Sequence, residues 1–93
     1  MVYAYVTIIL TNKASFDAYR EQAGTALKKH GGAVVAASPN ATVLEGTPAK
    51  TDISVILSFP DRESAVAWRE DPELAHIHAL RQGAGETTIV LVA

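Results

Sequence analysis

The stretch VYAYVTIIL, residues 2–10, constrains what this chain can fold into more than any other segment. Its β-branched and aromatic residues favour a strand. Successive side chains of a strand point to opposite faces. Ala4, Val6, Ile8 and Leu10 therefore share one face, and Tyr3, Tyr5, Thr7 and Ile9 share the other. Both faces are largely apolar. A small antiparallel sheet with one solvated face shows a cleaner alternation of apolar and polar residues. This strand needs cover on both sides.

The residues that follow supply cover for one side. From about Ser15 to His30, the positions Phe16, Tyr19, Ala23, Ala26, Leu27 and His30 recur at helical spacing and form one apolar stripe. Ser15 suits the N-cap, Asp17 the first turn, and Lys28 and Lys29 the last. Gly31-Gly32 stops the helix, because glycine accepts the left-handed conformation at little cost. AVVAAS (33–38) and ATVLEG (41–46) read as one strand broken at Pro39-Asn40, or as two short ones. ISVILSF (53–59) is a further strand, with Ile53, Val55, Leu57 and Phe59 on one face and Ser54, Ile56 and Ser58 on the other.

Asp61 caps a second helix that turns Ala65, Val66 and Trp68 toward the sheet. Asp71-Pro72 interrupts it, since proline lacks the N–H that a helix interior requires but suits a first turn. The helix restarts with a bend and runs to Gln82, GAGE ends it, and TTIVLVA is the last strand. The order β-α-β-β-α-β is that of a ferredoxin-like α+β fold, an antiparallel sheet with two helices on one face. Residues 1–93 form one domain. The face carrying Tyr5, Thr7, Ile9, Ser54, Ile56 and Ser58 stays uncovered, and a second copy of the same sheet is the simplest cover. The expectation is a homodimer through that open face.

Composition narrows the function classes. At 48% hydrophobic and 19% charged residues, the chain is rich in apolar groups for its size, which fits surface hidden in an assembly. A net charge of −2 with thinly spread Lys and Arg carries no footprint for nucleic acid or for an anionic membrane surface. The absence of cysteine excludes disulfides, thiolate metal sites and a cysteine nucleophile. The apolar start has no basic flank and no cleavage pattern, and it is too short to span a bilayer. A cytoplasmic protein is expected. No phosphate-binding loop, HExxH, GxSxG or dinucleotide fingerprint occurs.

The segment PELAHIHALRQG, residues 72–83, holds the residues closest to chemistry. On a helix, His76 and His78 lie about 200° apart and point to nearly opposite sides. Helical metal pairs need i, i+3 or i, i+4 spacing, so no metal site is expected. Leu74, Ile77, His78 and Arg81 share one face, and His76 lies nearer Glu73 and Leu80. His78 reads either as a core-edge histidine bonded to a strand or a partner chain, or as a ligand-contacting proton-transfer group, because it titrates near neutrality. Arg81 reads as a helix-end charge, as a partner of Glu45 or Glu86, or as an anion-binding group. Trp68 is at core spacing, and its indole N–H needs a partner if buried.

Taken together, KKHGG, VLEG, ILSFPDRESAVAW, DPEL, ALRQG and TIVLV resemble domain-of-unknown-function family 1330, small proteins of the dimeric α/β-barrel superfamily. The resemblance covers nearly the whole chain. Family members usually carry an aromatic residue where Leu74 stands, and Tyr where Arg69 follows Trp68. The family has no established reaction, so the resemblance implies architecture above all. The wider superfamily includes cofactor-independent monooxygenases, isomerases and cyclases, and haem-degrading proteins. Trp68 and His78 match the Trp-to-His spacing of the haem-degrading members, but their strand-one Asn has no counterpart, since Asn12 falls at the strand end.

These readings converge on a dimer that binds a small organic molecule without a cofactor, in a pocket using Tyr5, Thr7, Trp68, His78 and Arg81. A catalytic version has His78 transferring a proton and Arg81 stabilising developing negative charge. The rival is a non-catalytic binding or structural module in which the same side chains only pack. Haem binding or degradation is the minor alternative.

Overall fold

The computed structural model describes residues 1–93. The elements are β1 (Val2–Leu10), α1 (Lys13–Lys29), β2 (Ala33–Ser38), β3 (Ile53–Phe59), α2 (Arg62–Glu70), a 3-10 turn (Pro72–Leu74), α3 (Ala75–Gly83) and β4 (Gly85–Val92). The four strands form one antiparallel sheet in the order β2-β3-β1-β4. The strand whose sequence is apolar on both faces, β1, is thus central, flanked by β3 and β4. Tyr5 lies opposite Ile56 and Val90, and Val6 opposite Val55 and Ile89, so the face assignments read from alternation hold across the sheet.

All three helices pack on the face of Ala4, Val6, Ile8, Leu57 and Phe59, where they enclose the core with Ala26, Leu27, Ala65, Trp68, Leu74 and Ile77. The opposite face keeps Tyr3, Tyr5, Ile56, Val90 and Val92 exposed. The fold is therefore the ferredoxin-like α+β arrangement that the element order implied, with its second helical segment split at Pro72.

Local chemistry explains the boundaries. Helix α1 begins two residues before the expected Ser15: Asn12 is the N-cap, its Oδ1 accepting the Ser15 N–H at 3.1 Å. Ser15 is freed for a different task, its hydroxyl donating to the Leu80 carbonyl at 2.7 Å and so tying α1 to α3. At the other end, Gly31 adopts φ 72° and the Gly32 N–H returns to the Leu27 carbonyl at 2.8 Å, closing α1 as the glycine pair indicated.

Two expectations need correction. ATVLEG is no strand, because β2 ends at Ser38 and residues 39–52 carry no regular structure. Pro39 offers no ladder N–H, and the Asn40 N–H turns back to the Ser38 hydroxyl at 3.2 Å, which breaks the extended path. Val66 also points outward rather than toward the sheet, leaving Ala65 and Trp68 as the buried positions of α2.

The break between α2 and α3 is anchored to α1. Asp71 accepts the Glu73 N–H at 2.9 Å through one oxygen. Its other oxygen meets Lys29 Nζ and His30 Nε2, each at 2.8 Å. Strand β4 then starts at Gly85, φ 154°, where a side chain would collide with the Ile9 carbonyl. Gly85→Ala is expected to destabilise the fold by on the order of 3 kcal/mol or more, because the obstacle is central-strand backbone that cannot step aside. Urea titration checks this, and a midpoint equal to wild type would contradict it.

Candidate functional site

Helix α2 presents a local problem that α3 solves. The Trp68 carbonyl, in the last turn of α2, would ordinarily accept from the residue four positions on, which is Pro72 and has no N–H. His78 takes that place: its Nε2 lies 2.9 Å from the Trp68 carbonyl oxygen. Nε2 must therefore carry the ring proton, and Nδ1 is left as an acceptor. Arg81, one turn further along α3, donates from Nη1 to His78 Nδ1 at 2.7 Å. Trp68, His78 and Arg81 thus form a continuous buried chain of two hydrogen bonds, with His78 3% and Arg81 2% exposed.

Aromatic rings surround this chain. The His78 ring meets Trp68 edge-on at 4.8 Å between centroids, and Phe59 tilts against Trp68 at 5.4 Å. The Arg81 guanidinium lies 5.6 Å from the centroids of both Tyr19 and Trp68. Burial lowers the His78 pKa, the Trp68 carbonyl opposes this in part, and the positive charge of Arg81 lowers it further. Both ring nitrogens are engaged in the neutral tautomer. Proton uptake at Nδ1 would break the bond from Arg81 and set two cations side by side.

The structure brings together three of the five expected site residues. Trp68, His78 and Arg81 touch one another on the helical side of the sheet, whereas Tyr5 and Thr7 lie on its open side. The sheet itself separates the two groups, so no single pocket within one protomer contains all five. His76 is exposed while His78 is buried, as their angular separation on the helix indicates. Arg81 is neither a solvated helix-end charge nor a partner of Glu45 or Glu86. It is buried, Glu45 stands exposed in the β2–β3 connection, and Glu86 sits on the open face opposite Ile9.

A feature missed from sequence is a cavity of about 560 Å³ between α1 and the β2–β3 half of the sheet. Phe16, Tyr19, Ala23 and Leu27 line it from α1, and Val55 and Leu57 from β3. Those α1 residues belong to the apolar stripe already visible at helical spacing. The stripe gave no sign that its outer half borders a partly open cleft rather than close-packed side chains. Arg20 and Ser38 are the polar groups at this cavity, and Tyr19 forms part of its wall while also stacking on Arg81.

A four-stranded antiparallel sheet with its helices on one face defines the chain as a ferredoxin-like protein. The sequence matches the family described as "Domain of unknown function (DUF1330)" over residues 1–93, and the chain belongs to that family. Among solved structures, it is similar to the RPA0582 protein of unknown function from Rhodopseudomonas palustris. That match has 19% identity and a TM-score of 0.78, and it covers 98% of this chain and 79% of that one. A dimeric ferredoxin-like protein of unknown function from Jannaschia sp. CCS1 is similar at 12% identity and TM-score 0.68, over 99% and 97% of the two chains. A structure described as an antibiotic biosynthesis monooxygenase is similar at 13% identity and TM-score 0.56, over 100% and 97%. No curated protein matches the chain in sequence. No helix is long and apolar enough to cross a membrane.

The tautomer assignment carries a pH consequence. A lowered His78 pKa means that the folded state resists protonation more than the unfolded chain does. Its contribution to stability is complete above the ordinary value near 6.5 and is lost as pH falls through the lower folded value. Thermal melting of wild type and His78→Gln is expected to differ most above that pH, with the gap shrinking as the solution is acidified. A gap that widens on acidification would contradict the neutral assignment. At lower pH Asp71 adds its own loss. Hydrogen bonds from Lys29, His30 and the Glu73 N–H hold its carboxyl well below the usual 3.8, so its contribution disappears only beneath that value.

Proposed function

We propose that this protein binds a small organic molecule in the cavity between α1 and the sheet, as a cytoplasmic homodimer. The observation that carries this reading is the cavity itself. Its volume of about 560 Å³ lies in the range of small-molecule sites, and a largely apolar lining with few polar groups is typical of them. In this reading His78 is a positioning residue: it holds Arg81 and the end of α2 in place, and Arg81 in turn holds Tyr19 in the cavity wall.

The monooxygenase neighbour supports a fold able to house chemistry on small molecules, and an enzymatic role for His78 and Arg81 extends the same proposal. Binding ranks ahead of proton transfer here, because His78 would first have to release the Trp68 carbonyl or Arg81. The same two bonds stand against axial ligation of haem by His78. The dimer belongs to the proposal through the open face, where Tyr3 is 46% and Val92 62% exposed around Tyr5, Ile56 and Val90. Neighbours described as dimeric ferredoxin-like proteins support it. Tyr5 and Thr7 then act at the contact between copies rather than at the cavity.

A thermal-shift screen of metabolites tests the binding claim when wild type is run beside Ala23→Phe, which fills the cavity from α1. Compounds that raise the melting temperature of wild type are expected to lose their effect on the variant. A response that persists unchanged would remove the cavity as the binding site. Ile56→Asp is expected to shift the sedimentation mass at micromolar concentration from dimer to monomer, with helical content retained. A wild-type protein that sediments as a monomer would refute the dimer.

A further inference from the structure

Arg81 and Trp68 carry the two buried side-chain polar atoms that find no hydrogen-bond partner: Arg81 Nε and Trp68 Nε1. Both are N–H donors, and they belong to side chains in mutual contact. Arg81 is also a formal cation, 2% exposed, with no carboxylate at ion-pair distance. Its one hydrogen bond goes to a neutral imidazole. The faces of Tyr19 and Trp68 offset part of the cost, each contributing roughly 0.5–2 kcal/mol. Desolvating a guanidinium costs several kcal/mol, and buried charges are ordinarily paired with an opposite charge. The cluster is a positive, donor-rich site short of an acceptor.

Tyr19 connects this deficit to the cavity. Its ring lines the cavity and covers the Arg81 guanidinium at 5.6 Å. We propose that the cavity's ligand is a small organic acid, with its negative group held by Arg81 and its apolar body between α1 and the sheet. The inference rests on the cavity reading above and adds the charge of the ligand and its anchor. The Tyr19 ring turns aside to admit the acid group, which replaces the ring face as the partner of the guanidinium. The unpartnered Nε–H gains an acceptor, and the planar fork of Arg81 matches a carboxylate.

Arg20 is the competing anchor. It lines the same cavity, but it is exposed, and its guanidinium lies over the Phe16 ring at 5.8 Å. An exposed ion pair there contributes only about 0–1 kcal/mol and is screened by salt, whereas a pair with buried Arg81 is screened far less.

Two probes of equal shape separate these possibilities: 2-naphthoate, which is anionic, and 2-naphthamide, which is neutral. Wild type is expected to bind the naphthoate at least about tenfold more tightly by calorimetry. That preference should survive Arg20→Gln and also an increase from about 0.05 to about 0.5 M sodium chloride. Arg81→Gln should abolish it while naphthamide binding persists. Should Arg81→Gln fail to fold, the Arg20→Gln and salt measurements decide alone. A preference lost in Arg20→Gln or in high salt overturns the assignment to Arg81. Equal affinity for the two probes overturns the organic-acid inference and leaves the cavity reading standing. Failure of wild type to bind either probe removes both.

Discussion

The interaction on which the rest of the structure depends is the hydrogen bond from His78 to the Trp68 carbonyl. It arises because Pro72 cannot supply the N–H that an unbroken helix would have placed there. One proline therefore creates an unsatisfied acceptor in the core, and an unmet buried acceptor costs about 1–3 kcal/mol. Satisfying it fixes the imidazole tautomer. The tautomer fixes Nδ1 as an acceptor, and that acceptor draws Arg81 into the interior. The guanidinium in turn rests on Tyr19 of α1, so the break in the second helical segment is felt at the wall of the cavity. Asp71 secures the same break from outside by gathering Lys29 and His30 at the end of α1.

The sheet divides the molecule into two surfaces. On the helical side, α1 stands over the β2–β3 half of the sheet and leaves space beneath its outer stripe. On the other side, β1, β3 and β4 present tyrosines and aliphatic residues without cover. In the proposed function, assembly and ligand binding fall on opposite faces of two strands. Because alternate residues of β1 serve each face, a change in strand register would disturb both at once.

Much of this was legible in the sequence where local pattern dominates. Period-two alternation placed Ala4, Val6 and Ile8 inward and Tyr3 and Tyr5 outward, and the register across the sheet agrees. The i, i+3 and i+4 spacing separated His76 from His78 and grouped His78 with Arg81. What escaped depends on tertiary context. Asn12 in place of Ser15 as cap reflects the demand of the Leu80 carbonyl on the Ser15 hydroxyl, a partner 65 residues away. The burial of Arg81 contradicts its ordinary preference and follows only once the His78 acceptor is in place. Grouping Tyr5 and Thr7 with Trp68 failed because residues facing opposite sides of one sheet cannot share a pocket within a protomer. The cavity left no signal, since an apolar stripe looks the same beside an open cleft as over a packed core.

The family relationship fixes the fold and leaves the chemistry to this chain's own residues, among which the Trp68–His78–Arg81 chain is the most constrained group. Its central claim is that His78 is neutral and carries its proton on Nε2 in the folded protein. A long-range proton–nitrogen correlation spectrum of ¹⁵N-labelled protein at about pH 6, just below the ordinary histidine value, reads this directly. The account predicts one protonated and one bare ring nitrogen for His78, with Nε2 protonated. A doubly protonated His78, or a proton on Nδ1, would contradict it.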